Sequence, residues 1–146
     1  MPSGTSLRFT SPRFDHASEL PAEYNAGNRF YGRDVALWLA EALTARGLPA
    51  DFMDEDWGWL VFSRRETTRD FEAAVYYLGE ADDDSASDSD DWGLWLRAHE
   101  RGKLFGLLPR RVEVPVPDDV DAAVRAAITS IGATPMSWDD GDSGGR

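Results

Sequence analysis

The sequence lacks several residues and motifs on which common activities depend. It has no cysteine, which excludes disulfides, thiolate metal sites and cysteine nucleophiles. The only histidines are His16 and His99, and no HExxH is present, so a zinc site has no basis. GxSxG, GxGxxG and GxxxxGK[ST] are also missing, so an esterase nucleophile and the usual phosphate cradles are not expected. The sequence therefore predicts no catalytic residues, no metal and no cofactor.

Basic residues are scarce relative to acids. Lys and Arg number 15 against 27 Asp and Glu, for a formal net charge of −12 and a pI near 4.4. Such a chain repels nucleic-acid phosphates and anionic membranes, so we expect no direct nucleic-acid or membrane partner. Long apolar runs and an apolar leader are missing too, which predicts a cytoplasmic protein; frequent Ala, Arg, Asp and Gly suggest a bacterial source.

Two amphipathic helices are the clearest predicted elements. In 33–46 the apolar stripe is Val35, Trp38, Leu39, Ala42 and Leu43, and in 118–131 it is Val120, Val124, Ala127, Ile128 and Ile131. Gly47 and Gly132 are natural stops after these helices, and Asp118 or Asp119 is expected to cap the second.

Between the helices, three segments rich in aromatic and β-branched residues predict an antiparallel meander of strands at 57–63, 69–79 and 92–99. Alternation would place Trp57, Trp59 and Val61 on one face. Short segments at 6–11, 48–53, 111–117 and 133–138 are further strand candidates, whereas 102–111 is predicted to be an apolar loop or one helical turn. We expect a single α+β domain over 1–138, with about four to five strands, two main helices mainly on one face, and a disordered tail at 139–146.

The sequence DEDWGW, at 54–59, sets acids directly before two tryptophans, and DWGLWL at 91–96 echoes it. In a meander both segments begin at the same end of the sheet, and so does the acidic loop 80–91, which has seven acids in twelve residues. We therefore expect Asp56 and Asp91 to belong to one electronegative cap. Its predicted partner-binding residues are Asp54, Glu55, Asp56, Trp57, Asp82, Asp83, Asp84, Asp88, Asp90, Asp91 and Trp92.

Other interpretations of these features stay open. The acidic loop is also typical of a solvated linker that only aids solubility. An EF-hand starting at Asp88 fails, since its fifth position is Trp92 and its twelfth is His99. Tryptophans 57, 59, 92 and 95 could instead line an aromatic pocket of an enzyme or small-molecule binder.

The succession of helix, DWGW strand, aromatic strand, WGLWL strand, helix and terminal Trp, over about residues 30–138, resembles small bacterial α+β proteins of the toxin-immunity type. The resemblance implies tight, stoichiometric binding to a cognate toxin without turnover. With the charge map, it predicts an immunity- or inhibitor-like protein that blocks the basic surface of a toxin, nuclease or other effector.

Overall fold

The computed structural model describes residues 4–64, 69–79, 90–104 and 108–137 as one antiparallel sheet with two helices. The helices are α1 (Arg33–Ala45) and α2 (Asp118–Ser130). The strands are β1 (Thr5–Thr10), β2 (Ala50–Glu55), β3 (Gly58–Ser63), β4 (Arg69–Tyr77), β5 (Asp91–Leu104), β6 (Leu108–Val114) and β7 (Met136–Ser137). The predicted α+β class is confirmed.

The meander predicted from the sequence forms the centre of the sheet. Strand order is β2-β3-β4-β5-β1-β7, and all pairings are antiparallel. Trp59 is opposite Val75, and Tyr77 is opposite Trp92, so β3 begins, β4 ends and β5 begins at the same end of the sheet. The long β5 also pairs with two strands along its other edge: residues 91–96 with β1 and residues 98–104 with β6.

The predicted count of four to five strands is too low, because the sheet has seven. The main error concerns segment 102–111, predicted as a loop or one helical turn: β5 continues to Leu104 and β6 begins at Leu108, whereas 105–107 lie outside the described residues. Short apolar runs do not distinguish strand from helix by periodicity. Pairing with β5 decides this segment, and Pro109 is tolerated at the edge.

Both helices end as their glycines predict, and α2 begins at residue 118 as predicted, while its predicted capping residue is wrong. Gly47 has φ +90°, and the amide of Leu48 donates to the carbonyl of Leu43 at 2.9 Å, which closes α1. Gly132, with φ +85°, follows the end of α2 in the same way. Neither Asp118 nor Asp119 caps α2, since the N-cap is Pro117 and no side chain caps the end. Both acids instead lie in the first turn, where the helix dipole favours them.

One hydrophobic core lies between the helices and one face of the sheet. The helices contribute Val35, Leu39, Leu43, Val124 and Ile128, all fully buried. The sheet contributes alternate residues of its central strands and β1, namely Leu7, Phe9, Trp59, Val61, Phe71, Ala73, Val75, Trp92, Leu94 and Leu96. The expectation that the helices lie mainly on one face is therefore confirmed. The other face, which we call the open face, carries the intervening residues of the same strands.

Candidate functional site

The DEDWGW segment forms the β2–β3 turn, which separates its two tryptophans. Asp54 and Glu55 end β2, Trp57 lies in the turn, and Gly58, with φ +154°, begins β3. Trp59 is 3% exposed, whereas Trp57 is 40% exposed. The Trp57 ring packs on Tyr76 of the open face at a centroid distance of 5.9 Å. The prediction that both tryptophans share one face is thus wrong, because strand alternation does not extend into a turn.

Asn25 holds this turn against the loop before α1. It is fully buried, and its side-chain amide donates to the carbonyl oxygens of Glu55 at 2.9 Å and Gly58 at 2.6 Å. Its backbone amide donates to the Asp54 carboxylate at 2.9 Å, and its Oδ1 accepts the amide of Phe30 at 2.8 Å. Sequence analysis missed this residue, since nothing in a loop composition indicates which polar side chain becomes buried.

Acids of the β2–β3 turn and of the start of β5 lie at the same end of the sheet. Asp56 lies in the β2–β3 turn, and Asp91 begins β5 two strands away, at the end where β3 also begins. Neighbouring strands are about 4.8 Å apart, so the two strand starts are separated laterally by roughly 10 Å. We call Asp54, Glu55, Asp56, Asp90 and Asp91 the acidic end. Of the other predicted residues, Asp82, Asp83, Asp84 and Asp88 lie outside the described residues, as do most of the 80–91 loop and the 139–146 tail.

Two acids of this end have basic partners within the chain. The Asp91 carboxylate lies 3.1 Å from the Arg8 guanidinium and also accepts the Thr10 hydroxyl. Asp90 Oδ1 lies 2.7 Å from His16 Nε2, and the His16 ring stacks on Tyr77 at a centroid distance of 4.8 Å. These contacts attach the start of β5 to β1 and to the loop that follows β1. The carboxylates of Asp90 and Asp91 are therefore already paired with residues of the same chain.

Trp92 was predicted to be an aromatic anchor beside the acids, but it is fully buried. It packs against Tyr77 at 4.9 Å and Phe14 at 6.1 Å, on the helix-covered face. Neighbouring residues of a strand point to opposite faces of the sheet. Since Asp91 and Gly93 belong to the open face, Trp92 points into the core. Trp92 therefore presents no surface to a partner, and Trp57 is the tryptophan that remains beside the acids.

The open face was not singled out from the sequence, although most of the large apolar side chains that are exposed in the described residues belong to it. Among the described residues, five large apolar side chains are exposed, and four of them belong to this face: Met53 (44%), Trp57 (40%), Trp95 (37%) and Met136 (47%). Register places Met53 beside Leu60, and Met136 beside Arg8. The sequence indicated this face only indirectly: in 57–63 and 69–79, apolar residues occur on both faces of the predicted strands, so the face away from the helices also had to carry some of them.

A shallow groove of about 250 Å³ lies in the middle of the open face. It is lined by Trp57, Leu60, Glu72, Ala74, Tyr76, Trp95 and Arg97. The Arg97 guanidinium lies over the Trp95 ring, 4.9 Å from its centroid, and pairs with the Glu72 carboxylate at 2.5 Å. Burial raises the pKa of the Tyr76 phenol above 10.0, with the nearby Arg97 acting in the opposite direction.

The open face carries ion pairs between its own residues. Three of its arginines are each paired with an acid of the same face: Arg8 with Asp91, Arg64 with Asp51 and Arg97 with Glu72. Register adds further acids to this face at Glu55, Asp70 and Glu113, and further bases at Arg101, Lys103 and Arg111. Carboxylates without a register-matched base are concentrated at the acidic end, and a concentration of one charge attracts the opposite charge.

The four tryptophans of the alternative pocket do not meet at one site. Trp57 and Trp95 line the groove of the open face, whereas Trp59 and Trp92 belong to the core on the other side of the sheet. In the described part of the chain, no group of three or more His, Asp or Glu residues has the arrangement of a metal site. The groove thus offers aromatic surface and one ion pair as its chemistry.

Comparison with family models, with curated proteins and with solved structures finds no match for this chain. Neither helix of the described residues has the length and apolar character needed to cross a membrane.

Proposed function

We propose that this protein binds the basic surface of a partner protein through its open face and the adjoining acidic end. The observation that carries the proposal is that Trp57 and Trp95 stay exposed around one groove on the sheet face away from the helices, with Met53 and Met136 exposed on the two edge strands of the same face. Exposed apolar patches rimmed by polar residues are typical of protein interaction sites. Aromatic residues and Met are also enriched in interface cores.

The charge of the surface favours a basic partner. The acids Glu55 and Asp56 directly precede the exposed Trp57, and Arg8, Arg64 and Arg97 of the open face already have acidic partners within the chain. A partner arginine or lysine stacked on Trp57 would meet both an aromatic ring and nearby carboxylates. Arg97 on Trp95, paired with Glu72, is the same arrangement within the protein.

In this proposal the protein acts by stoichiometric occlusion, as immunity and inhibitor proteins do, and a toxin, nuclease or other effector is the kind of partner expected. In this proposal, the aspartates at positions 82–84 and 88 of the acidic loop add to the carboxylates of the acidic end. Deleting 82–90 tests that addition: weaker binding with a shallower salt dependence supports it. Unchanged affinity would leave binding to the open face alone and assign the loop a solubilising role.

The groove also gives a small-molecule function its specific support, since aromatic rings and one charged pair converge there. Its volume of about 250 Å³ is smaller than most ligand pockets, which span about 300–1,000 Å³. A groove of this size suits a single protein side chain better than a whole metabolite. Protein binding is therefore the function that the geometry supports best.

Site-specific photocrosslinking tests the proposal. A benzophenone amino acid replaces Met53 on the open face. The matched control is the same replacement of Val112, which is 47% exposed but lies on the other face of the sheet. In the native host we expect Met53 to yield a stoichiometric adduct with a basic protein, and Val112 to yield none. Equal adducts from both positions, or none from Met53, would contradict the proposal.

A further inference from the structure

Strand β2 lies at an edge of the sheet, and its backbone pattern shows which groups face outward. The Arg64 amide donates to the Pro49 carbonyl at 3.0 Å, which fixes the hydrogen-bonding phase between β2 and β3. Alternation then directs the backbone groups of Asp51 and Met53 toward β3. Those of Ala50, Phe52 and Asp54 point away from the sheet.

Only the first of these outward positions is capped by a neighbouring side chain. The Ala50 amide donates to the Thr44 hydroxyl of α1 at 3.1 Å. Within the described residues, no hydrogen bond engages the backbone amide or carbonyl of Phe52 or Asp54 on this side. The outer half of β2 therefore presents unpaired donors and acceptors, which are a template for another strand.

A groove runs beside this edge, between β2 and α1. Its volume is about 390 Å³, and it is lined by Leu37, Ala40, Glu41, Thr44, Ala45, Ala50, Asp51, Phe52 and Arg64. The lining is largely apolar, its charged residues are Glu41 and the ion pair of Asp51 with Arg64, and Asp54 lies further along the strand. An extended chain laid here could pair with β2 while placing alternate side chains in the groove.

We propose that an extended, basic segment of the partner adds to β2 as a further strand of the sheet. This inference rests on the proposed function and names the way in which the partner is held. Charge selects the occupant, because Lys or Arg on the added strand meets Glu41 and Asp54, which make no ion pair with the described residues, whereas Asp51 already pairs with Arg64. A second copy of β2 would set acids opposite acids, which destabilises strand pairing. The edge leads directly to Asp56 and Trp57, so both contacts belong to one continuous surface.

Amide hydrogen exchange tests strand addition on the intact protein. The probe is a peptide of about seven alternating Arg and Val residues, a typical strand length. Bound peptide should slow exchange of the Phe52 and Asp54 amides by at least about tenfold, while the Met53 amide, already paired with β3, stays unchanged. A peptide with Glu in place of Arg should give no protection. Binding of the Arg peptide without protection at Phe52 would overturn the inference.

Substitution at Phe52 gives a second test with an internal control. Phe52→Ala removes the ring, whereas Phe52→Pro removes both the ring and the outward amide without touching a bond to β3. Strand addition predicts that the proline variant binds the peptide about tenfold more weakly than the alanine variant, since a buried interface hydrogen bond is lost. Equal affinities would contradict it. If the proline variant does not fold, exchange on the wild type decides.

The two proposals fail differently. A Met53 photoadduct together with an unprotected Phe52 amide would remove strand addition and leave the proposed function standing. A protected Phe52 amide without an adduct from Met53 would remove the open face as the binding surface.

Discussion

Asn25 and Gly58, distant in sequence, are joined by a 2.6 Å hydrogen bond from the asparagine side-chain amide to the glycine carbonyl. Asn25 adopts φ +55°, a conformation that asparagine tolerates better than most residues. Through this bond and its neighbours, the loop before α1 holds the turn on which Trp57 and the acids are displayed. The geometry of the proposed binding surface thus depends on a residue outside that surface.

Replacing Asn25 with Ala should destabilise the protein by about 3 kcal/mol, because buried carbonyl and amide groups lose their partners. Asn28→Ala is the control, since exposed Asn28 makes one side-chain bond, to the Asp56 carbonyl at 2.7 Å, and should cost less than about 1 kcal/mol. Urea unfolding at neutral pH measures both. Similar losses for the two variants would show that Asn25 does not organise the turn.

The two tryptophans of DEDWGW should respond differently to truncation. Trp59→Ala empties a core site and removes the indole bond to the Phe30 carbonyl at 2.8 Å, so we expect a loss of about 3–5 kcal/mol. Trp57→Ala should cost less than about 1 kcal/mol in stability, since surface substitutions have small effects, yet it should weaken partner binding. Denaturant unfolding separates the two cases. A Trp57 variant as unstable as the Trp59 variant would place Trp57 in the core.

Tyr76 should make the protein less stable in alkali. Burial raises the pKa of its phenol in the folded state above 10.0, so folding favours the neutral form. This contribution is complete below the unfolded pKa of about 10 and is lost as pH rises through the folded value. Tyr76→Phe should remove that part of the pH dependence while leaving stability at neutral pH nearly unchanged.

Carbon-13 NMR of the tyrosine ring gives the direct measurement. Arg97→Gln should raise the Tyr76 pKa further, because the guanidinium charge acts to lower it. Ionisation of Tyr76 at or below its ordinary value would contradict the burial seen in the groove.

Periodic segments were predictable because their local pattern and their tertiary role agree. Val35, Leu39 and Leu43 repeat at helical spacing and are all fully buried. Leu7 and Phe9, which are two residues apart in the strand candidate 6–11, face the core together. The location of Asp56 and Asp91 at the same end of the sheet also followed from sequence, since strands that are neighbours in sequence usually pair as neighbours.

The environment of individual aromatic residues was less predictable. Trp57 and Trp92 both follow an aspartate and precede a glycine, yet one is exposed in a turn and the other is fully buried in a strand. The Asp-Trp-Gly motif does not specify whether its tryptophan lies in a turn or already in a strand, where side chains alternate between the two faces. The same limitation applies to Leu104 and Leu108, whose pairing across β5 and β6 forms a strand pair where a loop was expected.

The sequence by itself determined the α+β class, the positions of both helices, the antiparallel meander and the strongly acidic charge, because each depends on local periodicity or on composition. The tertiary structure alone decided which sheet face the helices cover, which tryptophans remain exposed and which edge of β2 stays unpaired. Those outcomes depend on packing and hydrogen bonding between segments far apart in the chain. The candidate binding surface consists of what that packing leaves uncovered.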